Sequence, residues 1–419
     1  MRTGYGIRNM KQLKSYALNT VRYSALQGEF WMSFCVIFSF ASVYLLQKGF
    51  TSTQVGTVIA AAGIISAALQ PVVGDIVDKS RHVSLHLAIT FFSVLIITAA
   101  LLLYFLKLPF LLTALVYGVM VAFLQVLTPL VNAIGMHYIN RGVDVNFGIA
   151  RGIGSLCYAL ISLAVGSLVE HYNESVIPLI IIVIYVLVIA AAVTFRFPGA
   201  EAKTEETGET EENEKSSAAG PFYKIYPKFM VLLTGLILLF VSHNMLNNFI
   251  FQIVQYYGAG STEMGRVAGL AAVLELPTMF LFTYYLKIMS AGNLLKISGV
   301  FFTLKSLVMY LATGMGMIYA AQFAQMFGFA LFVVSSVYYV NIKIERQDQV
   351  KGQAYMTMTN TIGSVAGSLL GGWLVDAKGV PAMLLVSTIA AIAGTFIVIF
   401  SAEGGYGRVR TGSSARTAS

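Results

Sequence analysis

Apolar residues run through this chain in long blocks of about 20 residues, and polar residues collect in the short gaps between them. That is the length a helix needs to cross the hydrocarbon core of a bilayer. About twelve such blocks can be placed, centred near Phe38, Gly63, Leu95, Phe123, Leu160, Val186, Ile237, Val273, Phe302, Phe327, Ser364 and Ala390. The blocks are continuous, whereas barrel strands alternate between a lipid face and a lumen face. The pattern therefore predicts an all-α integral membrane protein.

One gap is much longer than the rest. The stretch "FPGAEAKTEETGETEENEKSSAAGPF" (197–222) is rich in Glu, Thr, Ser and Gly and almost free of apolar residues. Such a segment buries too little surface to fold. It divides the chain into five expected units. A cytoplasmic N-terminal segment (1–28) precedes a six-helix half (29–196), and a disordered acidic linker on the cytoplasmic side (197–224) leads to a second six-helix half (225–401). A disordered basic tail (402–419) ends the chain.

Composition agrees. The chain is 57% hydrophobic and 11% charged, whereas soluble domains carry roughly a quarter charged residues. A chain of this make-up cannot cover a water-facing surface. The net charge of +8 does not point to nucleic acid, because the basic residues lie in short loops and tails between apolar blocks, the pattern that orients membrane proteins. With the N-terminus in the cytoplasm, the inner loops hold Lys79, Arg81, Arg141, Arg196, Lys203, Lys215, Lys224, Lys228, Lys287, Lys296, Lys343, Arg346 and Lys351. The outer loops hold Lys48, Lys107 and Lys378, with Arg266 at an outer helix edge. A cytoplasmic (plasma or inner) membrane location with both termini inside is expected. Arg2, Arg8, Lys11, Lys14 and Arg22 precede a full-length apolar block, so the first helix is expected to be retained rather than cleaved. Cys35 and Cys157 lie inside apolar blocks and read as packing residues.

The two halves share an internal repeat. The fifth block reads "RGIGSL" from Arg151, and the fifth block of the second half reads "NTIGSV" from Asn360; both run through small residues to an acidic outer end, at Glu170 and Asp376. Two six-helix halves with matching elements form a transporter layout, in which the site lies between the halves near the midplane.

Several polar residues are buried in these blocks. Glu275 lies about midway between Glu263 and Lys287, which at 1.5 Å per residue places it deep in the bilayer. Intramembrane ionisable residues are functional-site hypotheses by default; a structural ion pair is the alternative. Lys305 is also deep, and a structural salt bridge is at least as good a reading for it. Arg151 either contacts a solute or snorkels to the cytoplasmic surface. In "SHNMLNNFIFQIVQ" (242–255), Asn244, Asn247 and Asn248 share one helical face, as cavity lining or as interhelical hydrogen-bond partners. Gly363, Gly367 and Gly371 recur every fourth residue and predict close helix packing. "NES" at Asn173 fits a glycosylation acceptor by coincidence. No P-loop, paired metal ligands or Ser/His/Asp arrangement is present in the sequence, so no cofactor or metal is expected and the chain is not read as an enzyme.

"GDIVDKSR" (74–81) ends the second block at the cytoplasmic face. It resembles the loop signature of the major facilitator superfamily: Gly, three residues, Asp, then a basic residue. That resemblance implies a conformational gate at Gly74, Asp78 and Lys79. The match is partial, since Arg81 fills a later glycine position and "YYLKIMSAGN" (284–293) in the second half keeps Lys287 without the Asp. "EFWMSFCVIFSF" (29–40), "LQPVVGDIVDK" (69–79), "NFGIARGIGS" (146–155), "GRVAGLAAVLEL" (265–276) and "AGSLLGGWLVDAKG" (366–379) are, in this order, similar to the lactose-permease branch, the oligosaccharide–proton symporters.

The resemblance implies a twelve-helix major facilitator fold with two pseudo-symmetric halves. It implies that Arg151 hydrogen-bonds a sugar, that Tyr158 stacks on the ring, and that Glu275 binds sugar with Thr278 one turn away. Asn132 lies near a sugar-binding acid of that branch, and Lys305 stands where the branch has an embedded arginine. The branch's proton-coupling positions hold Asn244, Asn247, Gln322, Gln325, Gly328 and Asn360 instead, none of which titrates near neutral pH. The expected function is movement of a small polar solute, a glycoside or oligosaccharide, by alternating access. Arg151, Tyr158, Glu275, Thr278, Asn132, Asn244, Asn247, Asn248, Gln325 and Asn360 are the expected contacts. Glu275 is the candidate for coupling to a proton or sodium ion, with uncoupled movement left open. The expected partners are the solute and the lipid bilayer, around a monomer. Two alternatives stand beside this: a transporter of a small organic anion or nucleoside, and a transport-inactive sensor or scaffold.

Overall fold

The computed structural model describes residues 10–79, 83–197 and 221–404. Residues 1–9, 80–82, 198–220 and 405–419 lie outside it, and with them most of the expected acidic linker and basic tail. The described chain is helical, with no strand among the described residues.

In the first half, α1 (Met10–Phe34) passes through a π-turn (Cys35–Ser39) into α2 (Ala41–Gln47), forming one span bent by 41°. Then follow α3 (Ser52–Lys79), α4 (Leu85–Phe105), α5 (Phe110–Asn140), α6 (Phe147–Tyr172) and α7 (Val176–Thr194). The second half holds α8 (Pro227–Asn248) and α9 (Ile250–Tyr256), broken at Phe249. It continues with α10 (Ser261–Ile288), α11 (Ala291–Tyr310), α12 (Met315–Phe327), α13 (Phe329–Lys343), α14 (Gln349–Lys378) and α15 (Val380–Ser401). Among the described residues nine helices are long and apolar enough to cross a membrane, or ten with the bent first pair. The 20 residues of α11 and the 30 residues of α14 have the length but carry too many polar side chains to qualify on hydropathy. They occupy the ninth and eleventh expected positions, and with them the expected twelve spans are complete.

Two features differ from the sequence reading. Helix α1 starts at Met10, inside the segment 1–28 expected to precede the first span. Its Tyr23, Ser24, Leu26 and Gln27 are buried. A hydropathy reading stops at Arg22, but this is an amphipathic stretch whose polar residues pack inward. The tenth span breaks at Gly328, whose carbonyl accepts from Phe332 N–H at 3.1 Å and also from Ser298 Oγ of α11 at 2.8 Å. Chain breaks inside a bilayer persist only where neighbouring groups satisfy the backbone.

An even number of spans puts both described ends on one face, here the terminal face; the opposite one is the distal face. On the terminal face Lys228 and Lys343 both pair with Glu403, at 2.9 and 3.3 Å. Hydrogen bonding from Lys228 and then Lys343 holds the Glu403 carboxyl below its ordinary range. The halves meet along two helix pairs, α6 with α10 and α3 with α14. Within the second half, α8 packs on α14 and α15. Gly363, Gly367 and Gly371 lie against Phe240, Val241 and Met245 of α8 and Phe249 at its end, and a Cβ on Gly363 would fall 2.3 Å from Phe240 Cβ. The glycine stripe is therefore a helix contact.

Candidate functional site

Arg151 sits in the second turn of α6, a helix capped by Asn146, whose side chain accepts from Ile149 N–H at 2.9 Å. The guanidinium is turned onto α1. Its carbon lies 3.9 Å from the ring centre of Trp31 on α1, and Nη1 donates to Ser155 Oγ at 2.9 Å. A cation over an indole face in a desolvated place is worth about 2 kcal/mol. Trp31 is itself fixed, because its Nε1–H donates to Gln27 Oε1 at 3.0 Å. Gln27 Nε2 then donates to Tyr23 Oη at 2.7 Å and to Asn132 Oδ1 of α5 at 3.1 Å. Tyr23 Oη in turn donates to Val131 O at 3.1 Å. One network thus runs from α5 through α1 to the arginine. Further toward the distal face, the Tyr158 hydroxyl is 2.6 Å from Ser39 Oγ in the π-turn.

The second half supplies a matching chain. Glu275 on α10 accepts a hydrogen bond from Gln325 Nε2 of α12 at 2.8 Å. Lys305 on α11, only 3% exposed, donates to Gln325 Oε1 at 2.8 Å and to Asn247 Oδ1 of α8 at 3.5 Å. Gln325 therefore bridges a carboxylate and an ammonium that form no direct ion pair, so the structural salt bridge weighed for Lys305 is replaced by a cation–amide–carboxylate chain. Asn247 Nδ2 lies 2.8 Å from His243 Nε2, and the imidazole stacks on Phe329 with ring centres 4.8 Å apart. Glu275 interacts electrostatically with both Arg151 and Lys305. Both Arg151 and Glu275 remain partly accessible, and both stand on the helix pair that joins the halves.

The other expected contacts divide. Asn244 Nδ2 donates to Phe240 O at 2.8 Å and to Asn360 Oδ1 at 3.3 Å, while Asn248 Nδ2 donates to Ser368 Oγ at 2.8 Å. These two asparagines join α8 to α14, the interhelical reading, although Asn360 keeps an exposed side. Gln322 Nε2 donates along its own helix to Ile318 O. Thr278 is fully buried, and its hydroxyl has no hydrogen-bond partner among the described residues. Gly74 lies near the terminal end of α3 with open space around its Cα, and α3 runs on through Asp78 and Lys79. The side chains of Asp78 and Lys79 lie outside the described residues. Tyr23, Gln27, Trp31, Ser39 and Ser155 do not stand out in the sequence. The first three recur every fourth residue on one face of α1, which is the available signal. Glu29 also escapes a sequence reading: one of its carboxylate oxygens is buried without a hydrogen-bond partner among the described residues.

Residues 24–412 match the MFS_1 like family. The chain belongs to that family. It is a membrane transporter of the major facilitator type, as the sequence resemblance implied, and not an enzyme. The crystal structure of the nucleoside transporter NupG is similar over 92% of this chain and 98% of that one, with 16% identity and a TM-score of 0.73. A crystal structure of the peptide transporter POT is similar over 94% and 98%, with 11% identity and a TM-score of 0.70. At such identities the likeness shows the fold alone. No curated protein matches the chain in sequence.

Proposed function

We propose that this transporter moves a small, polar, hydroxyl-rich solute, a glycoside or oligosaccharide, between two faces of the cytoplasmic membrane. The observation that carries the reading is that Arg151 of one half and Glu275 of the other stand on two helices, α6 and α10, that pack together across the halves. Each is held in place by neutral neighbours, Trp31 and Ser155 for the arginine and Gln325 for the glutamate. Neither is consumed by a salt bridge to the other. Their remaining donors and acceptors suit a solute presenting several hydroxyls, since charged groups make the stronger hydrogen bonds. A solute touching both halves is released or exposed when they rock. The basic loops support a cytoplasmic terminal face, and Glu275 is the candidate group for coupling to a proton or sodium ion.

A nucleoside is the second reading. It is favoured by the likeness to a nucleoside transporter and by the aromatic Trp31 and Tyr158 beside polar groups. Solute binding to the purified protein separates the readings. A panel of glycosides, oligosaccharides and nucleosides is expected to give one class with saturable binding that Arg151→Ala weakens at least tenfold, the scale of a lost charged hydrogen bond, about 1.5–3 kcal/mol. Equal binding by wild type and variant would remove Arg151 from the site.

A further inference from the structure

The distal ends of the two inter-half helix pairs are built from one sequence pattern used twice. The fifth helix of the first half carries "SLAVGSLVE" (162–170), and its counterpart in the second half carries "SLLGGWLVD" (368–376). Each reads Ser, Leu, two residues, Gly, one residue, Leu, Val and an acid. Facing them, the second helix of each half opens with "STQVGTV" (52–58) or "STEMGRV" (261–267), both reading Ser, Thr, two residues, Gly, one residue, Val. The pairing is crossed: α6 of the first half meets α10 of the second, and α14 of the second meets α3 of the first.

Both crossings share one geometry. A Cβ on Gly265 would lie 2.2 Å from Ser162 O, and one on Gly56 would lie 2.1 Å from Ser368 O. From the other side, a Cβ on Gly166 would lie 2.5 Å from Ser261 O, and one on Gly372 would lie 2.3 Å from Ser52 O. Backbone meets backbone at four glycines related by the pseudo-twofold. At the end of each contact the acid reaches across to the opposing helix's free N–H groups. Asp376 accepts from Ser52 N–H at 3.0 Å and Thr53 N–H at 2.6 Å, and Glu170 accepts from Thr262 N–H at 2.8 Å. The first N–H groups of a helix have no intrahelical partner, and the helix dipole favours a negative charge beside them. Each half thus supplies the cap for a helix of the other.

We propose that Glu170 and Asp376 are the distal gate of the transport cycle: paired carboxylate caps that hold the distal face shut and must both release before it opens. This rests on the transport reading above. The caps are intermolecular in all but chain connectivity, since the carboxylate on each helix start comes from the opposite half. Separating the halves at the distal face leaves the caps to water, so the caps favour the distal-closed arrangement in proportion to what they gain over water. Asp376 holds two N–H groups and Glu170 one, so Asp376 has the larger share.

The test measures the arrangement of the halves without any solute, in nanodiscs. Spin-label pairs at Leu106 and Leu311 report the distal face, and pairs at Asn140 and Gln347 report the terminal face, with Cys35 and Cys157 replaced by Ser. In wild type the distal pair is expected to be short. Asp376→Ala is expected to raise the ratio of distal-open to distal-closed molecules roughly two- to fivefold, Glu170→Ala less, and the double variant most, the scale of an exposed carboxylate at a helix N-terminus. The terminal pair is expected to shorten in the same molecules. Asp376→Asn and Glu170→Gln keep an acceptor oxygen and lose the charge; they are expected to give smaller shifts in the same direction, and they guard against a variant that fails to fold. Unchanged distances in the folded double variant would overturn the gate, as would a longer distal pair with no shortening at the terminal face, which marks local fraying. Distances that shift in a protein that exchanges no solute would uphold the gate and remove the transport reading.

Discussion

Trp31 decides how Arg151 can be used. The indole covers one face of the guanidinium, Ser155 takes one nitrogen, and the rest of the fork is left for a ligand. Trp31→Leu is expected to release the arginine and weaken solute binding by about 1–2 kcal/mol, roughly 5–30-fold. Trp31→Phe keeps a ring face and loses only the Nε1–H bond to Gln27, so its loss is expected to be smaller. Titration of the bound solute into both variants checks this; equal affinities for wild type and Trp31→Leu would mean that the ring only fills space. Arg151 and Glu275 were legible in the sequence because charge inside an apolar block is conspicuous. Trp31 and Gln27 were not, because a tryptophan and a glutamine near a helix end look like ordinary interfacial residues. Their meaning comes from α6 and α5, 100 and more residues away. The asparagines show the opposite limit: one polar face on α8 was visible, but which neighbour it met was not.

Among the elements, the positions of the spans were readable from hydropathy, and the irregularities were not. The π-turn at Cys35–Ser39 and the breaks at Phe249 and Gly328 leave no mark on the apolar pattern, and the Ser298 contact to the Gly328 carbonyl comes from a helix 30 residues away. Helix α1 extends to Met10 because its polar residues find partners inside the first half, for example Tyr16 with Asn146 and Thr20 with the Asn146 N–H. The glycine stripe on α14 was legible by its four-residue spacing alone. Gly367→Val adds bulk where a Cβ already falls 2.7 Å from Val241 O. Backbone cannot yield there as a side chain can, so the substitution is expected to destabilise the second half by about 1–3 kcal/mol, the usual range for overpacking. A lowered thermal-unfolding midpoint in detergent would register it, and an unchanged midpoint would mean that α8 and α14 are looser than this packing implies.

At the scale of the whole molecule, the repeat first visible as "RGIGSL" and "NTIGSV" has two consequences. It sets Arg151 of one half opposite the polar lining of the other, and it places an acid at the distal end of each fifth helix. The same symmetry that relates the two halves around the proposed midplane site also repeats the acid-to-helix-start contact at the distal end of both crossings. Solute identity does not follow from symmetry; in the proposed site it would depend on a few hydrogen-bond directions around Arg151, Glu275 and Gln325. The central claim is that a solute crosses between the halves through that site. Counterflow of labelled glycosides and nucleosides in proteoliposomes tests it most directly. Saturable exchange is expected for one solute class in wild type and is expected to fall at least tenfold in Arg151→Ala, matching the loss of one charged contact. Absence of exchange for every solute in folded wild-type protein, or full exchange by the Arg151→Ala variant, would contradict passage of a solute through the Arg151 site.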